Sequence, residues 1–142
     1  MVISDFDESL KSVTTSLLYT DISPKEKYFI TLNQWFDESL LKEISLQPLY
    51  FPSANKSNYD EFSNEYFEKY NQYPNQLSFL SYDLVGLVYY LILQNNSFVD
   101  KKMFKKKNLF KGKVGIFEIK NNKINHILNF YKVEDGEFKK VF

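Results

Sequence analysis

The clearest hydrophobic pattern in the chain lies in residues 78–92. Apolar residues recur there at intervals of three or four, at Leu80, Leu84, Leu87, Val88, Leu91 and Ile92. This spacing is typical of one side of an α-helix, and Tyr89 and Tyr90 widen the stripe. Tyr73-Pro74 ends the preceding segment, because a residue before proline avoids the α region. The pattern predicts the central buried helix of the fold.

The first turn of this helix gathers polar side chains, namely Ser78, Ser81, Tyr82 and Asp83. Backbone N–H groups without helical partners lie in a first turn and attract ligands. Tyr82 and Asp83 admit two interpretations: an acid–base pair, or a ligand-contacting Tyr82 beside an Asp83 that hydrogen-bonds within the helix start. The motif holds no nucleophile and no second carboxylate, which favours the second interpretation. We nominate Ser81 and Tyr82 as ligand-binding residues.

The N-terminal region alternates strand and helix. Residues 2–6 predict a strand, and Asp7 is a natural N-cap for the helix that follows. That helix carries Leu10, Val13, Leu17 and Leu18 on one face. Residues 28–32 predict a second strand, and strand, helix and strand within about 30 residues are typical of a parallel βαβ unit. The chain is therefore predicted to be an α/β protein.

Open α/β sheets bind ligands beyond the carboxyl ends of their parallel strands. That rule nominates Asp5 and Phe6 after the first strand, and Asn33, Gln34, Trp35 and Phe36 after the second. A lone tryptophan is most often a core residue. Because Trp35 follows a strand within a run of polar residues, a pocket-lining position and a core position both stay open.

The middle of the chain predicts further helices. Residues 38–44 read as a short helix, and residues 47–52, bounded by prolines, read as a strand or an extended crossing. Asn58 and Glu61 resemble a capping box at the start of a helix. That helix carries aromatic residues at helical spacing, Tyr59, Phe62, Tyr66 and Tyr70.

In the C-terminal third, the spacing of the hydrophobic residues changes from the helical pattern to the pattern of strands. The lysine-rich stretch 101–113 admits two interpretations, a phosphate-contacting strip or a short amphipathic helix with a solvated face, and the acidic balance of the chain favours the helix. Residues 114–119 and 124–133 predict a β-hairpin around Asn121-Asn122. A second turn at Asp135-Gly136 leads into a strand over 137–141.

The amino-acid composition limits the classes of function that the chain can have. The 142 residues, 44% of them hydrophobic, suffice for one domain with a core. Eighteen basic residues balance 18 acidic ones, so no overall field favours nucleic acid or an anionic membrane. The absence of cysteine excludes disulfides, thiolate chemistry and cysteine zinc sites. The first residues show no signal-peptide pattern, and no window approaches the roughly 18 continuous apolar residues of a membrane span.

His126 is the only histidine, and it lies in the middle of a predicted strand. A catalytic or metal-binding role would need partners, and no cluster with ligand spacing surrounds it. One histidine and no cysteine also leave few activated nucleophiles. We expect His126 to be structural, and we expect no catalytic residue, no metal and no cofactor.

Several loose motifs together resemble a known family. They are Phe62, Tyr66, Tyr70 and Pro74, then Ser81-Tyr82-Asp83, then the F-x-G-x-x-G run from Phe110 to Gly115, and then Tyr131-Lys132-Val133-Glu134-Asp135-Gly136-Glu137-Phe138. This pattern resembles the C-terminal part of type I periplasmic binding proteins, the leucine/isoleucine/valine-binding type of solute receptor for ABC transporters.

The resemblance implies a three-layer α/β/α fold with a mostly parallel sheet and a C-terminal β-hairpin. Residues 1–48 would belong to one lobe and residues 49–142 mainly to the other, with Asn33, Gln34 and Trp35 facing the solute from the first and Tyr82 from the second. It further implies a small-molecule solute, an ABC permease as partner and a periplasmic location. The loop at 33–35 lacks the small or acidic residues that hold an amino group in amino-acid receptors of the family.

Against the family pattern, the N-terminal half of such a receptor is missing from this chain. Its few parallel strands would leave long edges, so we expect a homodimer or pairing with a missing N-terminal half. The alternative function is an envelope protein-interaction or regulatory module on the same fold.

Overall fold

The structure is a computed structural model, and it describes residues 1–5, 7–32, 35–96, 100–105 and 108–142. In this part of the chain the strands are β1 (Val2–Ile3), β2 (Phe29–Thr31), β3 (Leu49–Ser53), β4 (Asn108–Lys111), β5 (Ile116–Lys120), β6 (Lys123–Ile127), β7 (Asn129–Glu134) and β8 (Glu137–Lys140). The helices are α1 (Asp7–Leu18), α2 (Lys56–Tyr70) and α3 (Gln76–Gln94). Short 3-10 turns span Glu38–Lys42, Ile44–Leu46 and Lys101–Phe104.

Two compact units divide the chain. Unit 1 comprises Met1–Ser53 and Asn129–Phe142, and unit 2 comprises Ala54–Leu128. The last two strands therefore belong with the N-terminal segment. The assignment of residues 1–48 and 49–142 to two receptor lobes stays a prediction.

Unit 1 contains a five-stranded sheet in the order β1-β2-β3-β7-β8. The first three strands are parallel, with Val2 opposite Ile30 and Phe29 opposite Leu49. This confirms the parallel βαβ unit predicted from the sequence. β7 and β8 join antiparallel, so the sheet is mixed. The α/β class holds at this level, while a three-layer fold with a mostly parallel sheet remains a proposal.

The core of unit 1 is aromatic. The ring of Phe36 lies edge-on to three other rings, those of Phe51, Tyr131 and Phe138, at centroid distances of 5.5, 5.0 and 5.3 Å. Edge-to-face contacts of this kind add to the gain from burying the rings. From α1, Leu10 is buried as predicted, while Val13, Leu17 and Leu18 are half-buried.

The buried side-chain amide of Gln47 links separate segments of unit 1. The side-chain nitrogen of Gln47 donates to the carbonyls of Leu40 and Leu41 at 3.2 and 3.3 Å, and its oxygen accepts from the Gly136 N–H at 3.0 Å. Gly136 belongs to the β7–β8 turn, where Asp135 and Gly136 have φ of 56° and 74°. This turn was predicted from the Asp-Gly pair and is confirmed.

Unit 2 opens on a pair of helices with asparagine caps. Asn55 caps α2 by accepting from the Asn58 N–H at 3.2 Å, and Asn75 caps α3 by accepting from the Ser78 N–H at 2.8 Å. The sequence predicted that α2 starts at Asn58. This is wrong by three residues, because the Asn55 side chain is the one that caps the helix, by accepting from the free N–H of its first turn. Asn71 ends α2 in the left-handed conformation, with φ of 52°.

A three-stranded antiparallel sheet, β4-β5-β6, completes unit 2. The Asn121-Asn122 turn joins β5 to β6 with φ of 52° and 60°, as predicted. Two expectations need correction. Residues 124–133 are two strands of different sheets, β6 and β7, rather than one strand. The lysine-rich stretch holds a 3-10 turn and strand β4 rather than a single helix.

The predicted central helix, α3, is only partly buried. Its buried residues are Phe79, Asp83, Leu87 and Leu91. Leu87 and Leu91 pack in a cluster with Met103, Phe117 and Ile119, while Leu77, Val85 and Tyr89 are 73%, 69% and 63% exposed. The helix predicted from the three-four spacing is confirmed, but the prediction that it is buried is wrong. When a helix is apolar on all sides, its sequence does not show which side is buried.

By length and composition alone, α3 could also cross a membrane, with 19 residues and a mean hydropathy of 1.4. The expectation from the sequence, that no window approaches about 18 continuous apolar residues, uses a different criterion. That expectation required an uninterrupted apolar run, and Ser81, Asp83 and Gly86 interrupt this one. Only 22% of its most apolar stretch is buried.

Candidate functional site

A groove of about 640 Å³ runs along α2 and α3 within unit 2. Five of its eleven described lining residues are aromatic. The lining residues are Phe62, Glu65, Tyr66, Lys69, Tyr70, Ser78, Ser81, Tyr82, Val85, Gly86 and Tyr89. Small-molecule sites are typically concave, largely apolar spaces of about 300–1,000 Å³ with a few polar groups, so this groove has a suitable size and lining.

The α2 wall follows directly from residue spacing. Phe62, Tyr66 and Tyr70 are each four positions apart, which places them on one face of the helix. Their rings touch in sequence, at centroid distances of 5.9 Å for the first pair and 4.6 Å for the second. From α3, the Tyr82 ring meets Phe62 edge-on at 5.2 Å. The four rings form one continuous aromatic wall.

Polar groups in the groove are few and electrically balanced. The ammonium group of Lys113 binds the Glu65 carboxylate, and this hydrogen bond raises the lysine pKa. Lys69 Nζ lies over the Tyr70 ring, 5.4 Å from its centroid. The Ser78 hydroxyl donates to Asn75 at 3.1 Å. The groove therefore offers hydroxyls and one ion pair rather than a strong field of either sign.

A buried carboxylate fixes the loop beside α3. Asp83 accepts hydrogen bonds from the backbone N–H groups of Lys113, Val114 and Gly115 at 2.8, 2.9 and 2.8 Å. We call this arrangement the Asp83 anchor. Asp83 is 3% exposed and lies in the second turn of α3, so the expected bonding within the helix start is wrong. Its role in the structure is to satisfy three loop donors that have no strand partner.

The two glycines of the F-x-G-x-x-G motif make room for this arrangement. A Cβ at Gly112 would overlap the Asp83 carboxylate, and a Cβ at Gly115 would overlap Nε2 of His126. The His126 ring stacks on Phe117 with centroids 4.4 Å apart and planes 10° apart. Burial lowers the pKa of His126, and the nearby Asp83 charge opposes that shift. In the described residues its Nε2 is buried without a hydrogen-bond partner.

The residues nominated from the sequence fall into separate places. Ser81 and Tyr82 line the groove in unit 2. Asp5 lies in unit 1 after β1, where its carboxylate accepts from the Ser9 hydroxyl at 3.1 Å. Trp35 is half-buried in unit 1. Phe36 is buried in the aromatic core of unit 1 and does not face open space, so its nomination is wrong. Phe6, Asn33 and Gln34 lie outside the described residues.

The nominations from the sequence left out the α2 wall of the groove. The signal was present, since Phe62, Tyr66 and Tyr70 were recognised as a helical stripe. A stripe of aromatic residues is most often core, and only the exposure of Tyr70, at 54%, shows that it also borders open space. Within the described ranges, no group of three or more histidine, aspartate or glutamate side chains could hold a metal ion.

Comparison of the chain with protein-family models, with curated proteins and with solved structures found no match.

Proposed function

We propose that this chain binds a small solute, without covalent chemistry, in the groove between α2 and α3. The observation that supports this most is the continuous aromatic wall of Phe62, Tyr66, Tyr70 and Tyr82 beside a space of about 640 Å³. Aromatic side chains gain much on covering an apolar ligand and lose little conformational entropy. Such a wall favours binding over catalysis.

The lining also indicates the kind of solute. The apolar walls suit a flat or branched apolar body, and the hydroxyls of Ser81 and Tyr82 suit one or two neutral polar groups. Glu65 is already paired with Lys113, and Lys69 lies against Tyr70. A cationic solute would meet only a carboxylate that is already paired, and an anionic group would meet one ammonium, that of Lys69. We therefore propose an uncharged or zwitterionic solute of small size.

The broader role rests on the resemblance noted in the sequence. We propose that the chain is part of an extracytoplasmic type I solute receptor that serves an ABC permease. In that proposal the finer fold is a three-layer α/β/α arrangement with a mostly parallel sheet, and residues 1–48 and 49–142 contribute to two lobes. Unit 1 supports the parallel beginning of such a sheet through β1, β2 and β3.

A second candidate function is protein interaction. The exposed apolar side chains of α3, among them Leu77, Val85 and Leu93, favour it, because soluble monomers rarely display so apolar a helix face. In this role the chain would be an envelope regulatory module rather than a solute receptor.

Native mass spectrometry of the purified chain tests the proposal, followed by thermal-shift titration with a panel of neutral and zwitterionic amino acids and their amides. We expect Tyr82→Ala and Tyr66→Ala to weaken binding of any hit about tenfold each, since each removes one aromatic contact. Tyr19→Ala is the matched control, because Tyr19 is 87% exposed in unit 1 and should leave affinity unchanged.

The same titration separates the two predicted sites. If Trp35→Phe abolishes binding while Tyr82→Ala does not, the solute binds in unit 1 and the groove assignment is wrong. Unchanged affinity in both groove variants would also contradict the groove assignment. If no panel member binds and no solute is retained through purification, the protein-interaction function is favoured.

A further inference from the structure

The surface of α3 divides into three faces. One face carries the buried residues Phe79, Asp83, Leu87 and Leu91. A second lines the groove with Tyr82, Val85 and Tyr89. The third carries aliphatic side chains spaced four residues apart, Leu80, Leu84, Val88 and Ile92, of which Ile92 also packs against the buried cluster. We call this third face the aliphatic ridge.

The ridge is uncovered over its central part. Leu84 and Val88 are 46% and 36% exposed, and Leu77, at the start of the same side, is 73% exposed. Leu80 and Ile92 are half-buried. A helix that is apolar on every side is normally covered on every side. In the described residues, nothing covers the centre of the ridge.

The chemistry of the ridge fits a second copy of itself. Asp83 is the only charged residue of α3, and it is buried in the Asp83 anchor on another face. Two ridges can therefore meet without bringing like charges together. The whole chain also has a formal net charge of zero, so no long-range repulsion keeps copies apart. Both facts favour self-association.

The spacing of the ridge also suits a symmetric contact. Side chains at every fourth position form a continuous row, and two such rows interdigitate when helices cross at about −50°. A two-fold axis presents the same patch from both copies, which requires a surface that is complementary to itself. A row of branched aliphatic side chains without directional groups meets that requirement.

We propose that the aliphatic ridge of α3 is the interface of a two-fold homodimer of this chain. Leu77, Leu84 and Val88 together expose a few hundred Å² of mostly apolar surface, the size of a patch that marks an interaction site. This is less than the roughly 800 Å² per partner of a standard stable interface, so the dimer dissociates on dilution.

A lipid bilayer is the competing occupant, and the buried face of α3 argues against it. Leu87 and Leu91 pack on Phe117 and Ile119, and Asp83 holds three backbone N–H groups of the loop at 113–115. Insertion would break these contacts and carry the carboxylate into hydrocarbon, which is costly. A face-on contact with a second copy leaves them intact.

Sedimentation velocity over a range of protein concentrations tests the proposal. We expect a monomer–dimer equilibrium, and we expect Leu84→Glu to weaken dimerisation at least about tenfold by placing two carboxylates at the contact. Leu109→Glu is the matched control, because Leu109 is 64% exposed on β4 of the same unit and lies outside the ridge. Its dimer should be as stable as that of the original chain.

A second measurement uses the absence of cysteine from the chain. Under oxidation, Leu84→Cys should yield a disulfide-linked dimer much faster than Leu109→Cys. A monomer at every concentration, a dimer untouched by Leu84→Glu, or equal cross-linking at both positions would overturn the proposal. So would a monomer that sediments with phosphatidylcholine vesicles. Circular dichroism of Leu84→Glu should be unchanged, which excludes loss of folding.

The proposal does not depend on solute binding. Tyr82→Ala changes the groove and leaves the ridge intact, so it should not alter dimerisation. Leu84→Glu changes the ridge and should leave any solute affinity unaltered. Failure of one proposal is thereby distinguishable from failure of the other.

Discussion

The two units each use a buried polar side chain to tie distant segments together, but the two side chains differ in charge. In unit 1, Gln47 both donates and accepts, to Leu40, Leu41 and Gly136. In unit 2, Asp83 only accepts, from three consecutive N–H groups. A carboxylate can hold several donors from one loop at once, and hydrogen bonds to a charged group are roughly twice as strong as neutral ones.

This contrast determines where each unit is vulnerable. The partners of Gln47 include Leu41 and Gly136, which are half-buried. Water can therefore reach part of that network if the amide is lost. Val114 and Gly115 are buried, so their N–H groups depend on Asp83. The loop of unit 2 therefore depends on one residue, Asp83, whereas the stability of unit 1 is distributed over its aromatic core.

The most damaging substitution should be Asp83→Ala, which leaves the three loop donors without an acceptor. We expect a loss of about 3 kcal/mol or more in the free energy of unfolding, since a buried unsatisfied donor costs about 1–3 kcal/mol. Gln47→Ala should cost only about 1–2 kcal/mol, because its bonds are neutral and partly accessible to water. Urea denaturation measures both.

Hydrogen exchange tests the same contrast one amide at a time. The amides of Lys113, Val114 and Gly115 should exchange faster in Asp83→Ala, while that of Gly136 should not. Glu8→Ala serves as a surface control, since this carboxylate is exposed on α1 and pairs with Lys11 at 2.7 Å. Equal losses from Asp83→Ala and Gln47→Ala would contradict the distinction between the two units.

A more moderate loss is expected from glycine substitutions in unit 2. Gly115→Ala should destabilise the chain by about 1–3 kcal/mol, because its Cβ would overlap the buried Nε2 of the His126 ring. Gly86→Ala is the matched control: its Cβ would stand 3.4 Å from Phe110, an ordinary contact, and alanine favours a helix interior by about 1 kcal/mol over glycine.

Thermal unfolding of both variants decides the matter. Gly115→Ala should melt below the original chain, and Gly86→Ala at or above it. If the two variants shift in the same direction by the same amount, the close approach of the 112–115 loop to His126 is not a feature of the folded protein.

Much of the fold was readable from local patterns. The parallel pair β1 and β2, the helices α1 to α3, and the turns at Asn121-Asn122 and Asp135-Gly136 all rest on periodicity or turn residues. The break between β6 and β7 was not readable, since apolar residues continue through Ile127, Leu128 and Phe130 without a glycine or proline. Which sheet a strand joins is decided by tertiary contacts.

The candidate site was readable in part. Ser81 and Tyr82 were found because polar groups stood out on an apolar helix, and both line the groove. The partners of Asp83 lie about thirty residues away, beyond any local pattern. The burial of α3 was overestimated for a related reason: a helix that is apolar all round does not reveal which of its faces the rest of the chain covers.

The weakest effect we expect concerns the pH dependence of unit 2 through His126. Burial of the ring against Phe117 lowers the pKa of His126 below its ordinary value of 6.5, although the Asp83 charge opposes the shift. The unfolded chain therefore binds more protons than the folded one between the lowered pKa and 6.5. Stability rises with pH through that window, so His126 contributes fully above it and its contribution is lost as the pH falls through it.

Comparison of urea midpoints across this window isolates the histidine, because it is the only one in the chain. We expect the midpoint of the original chain to fall on acidification more than that of His126→Phe, which keeps a ring to stack on Phe117 but cannot be protonated. Carboxylates titrate in both proteins, so their effect cancels in the difference. Parallel midpoint curves would mean that the ring is not held in its position beside Gly115. They would also contradict the explanation that Gly115 lacks a Cβ in order to make room for His126.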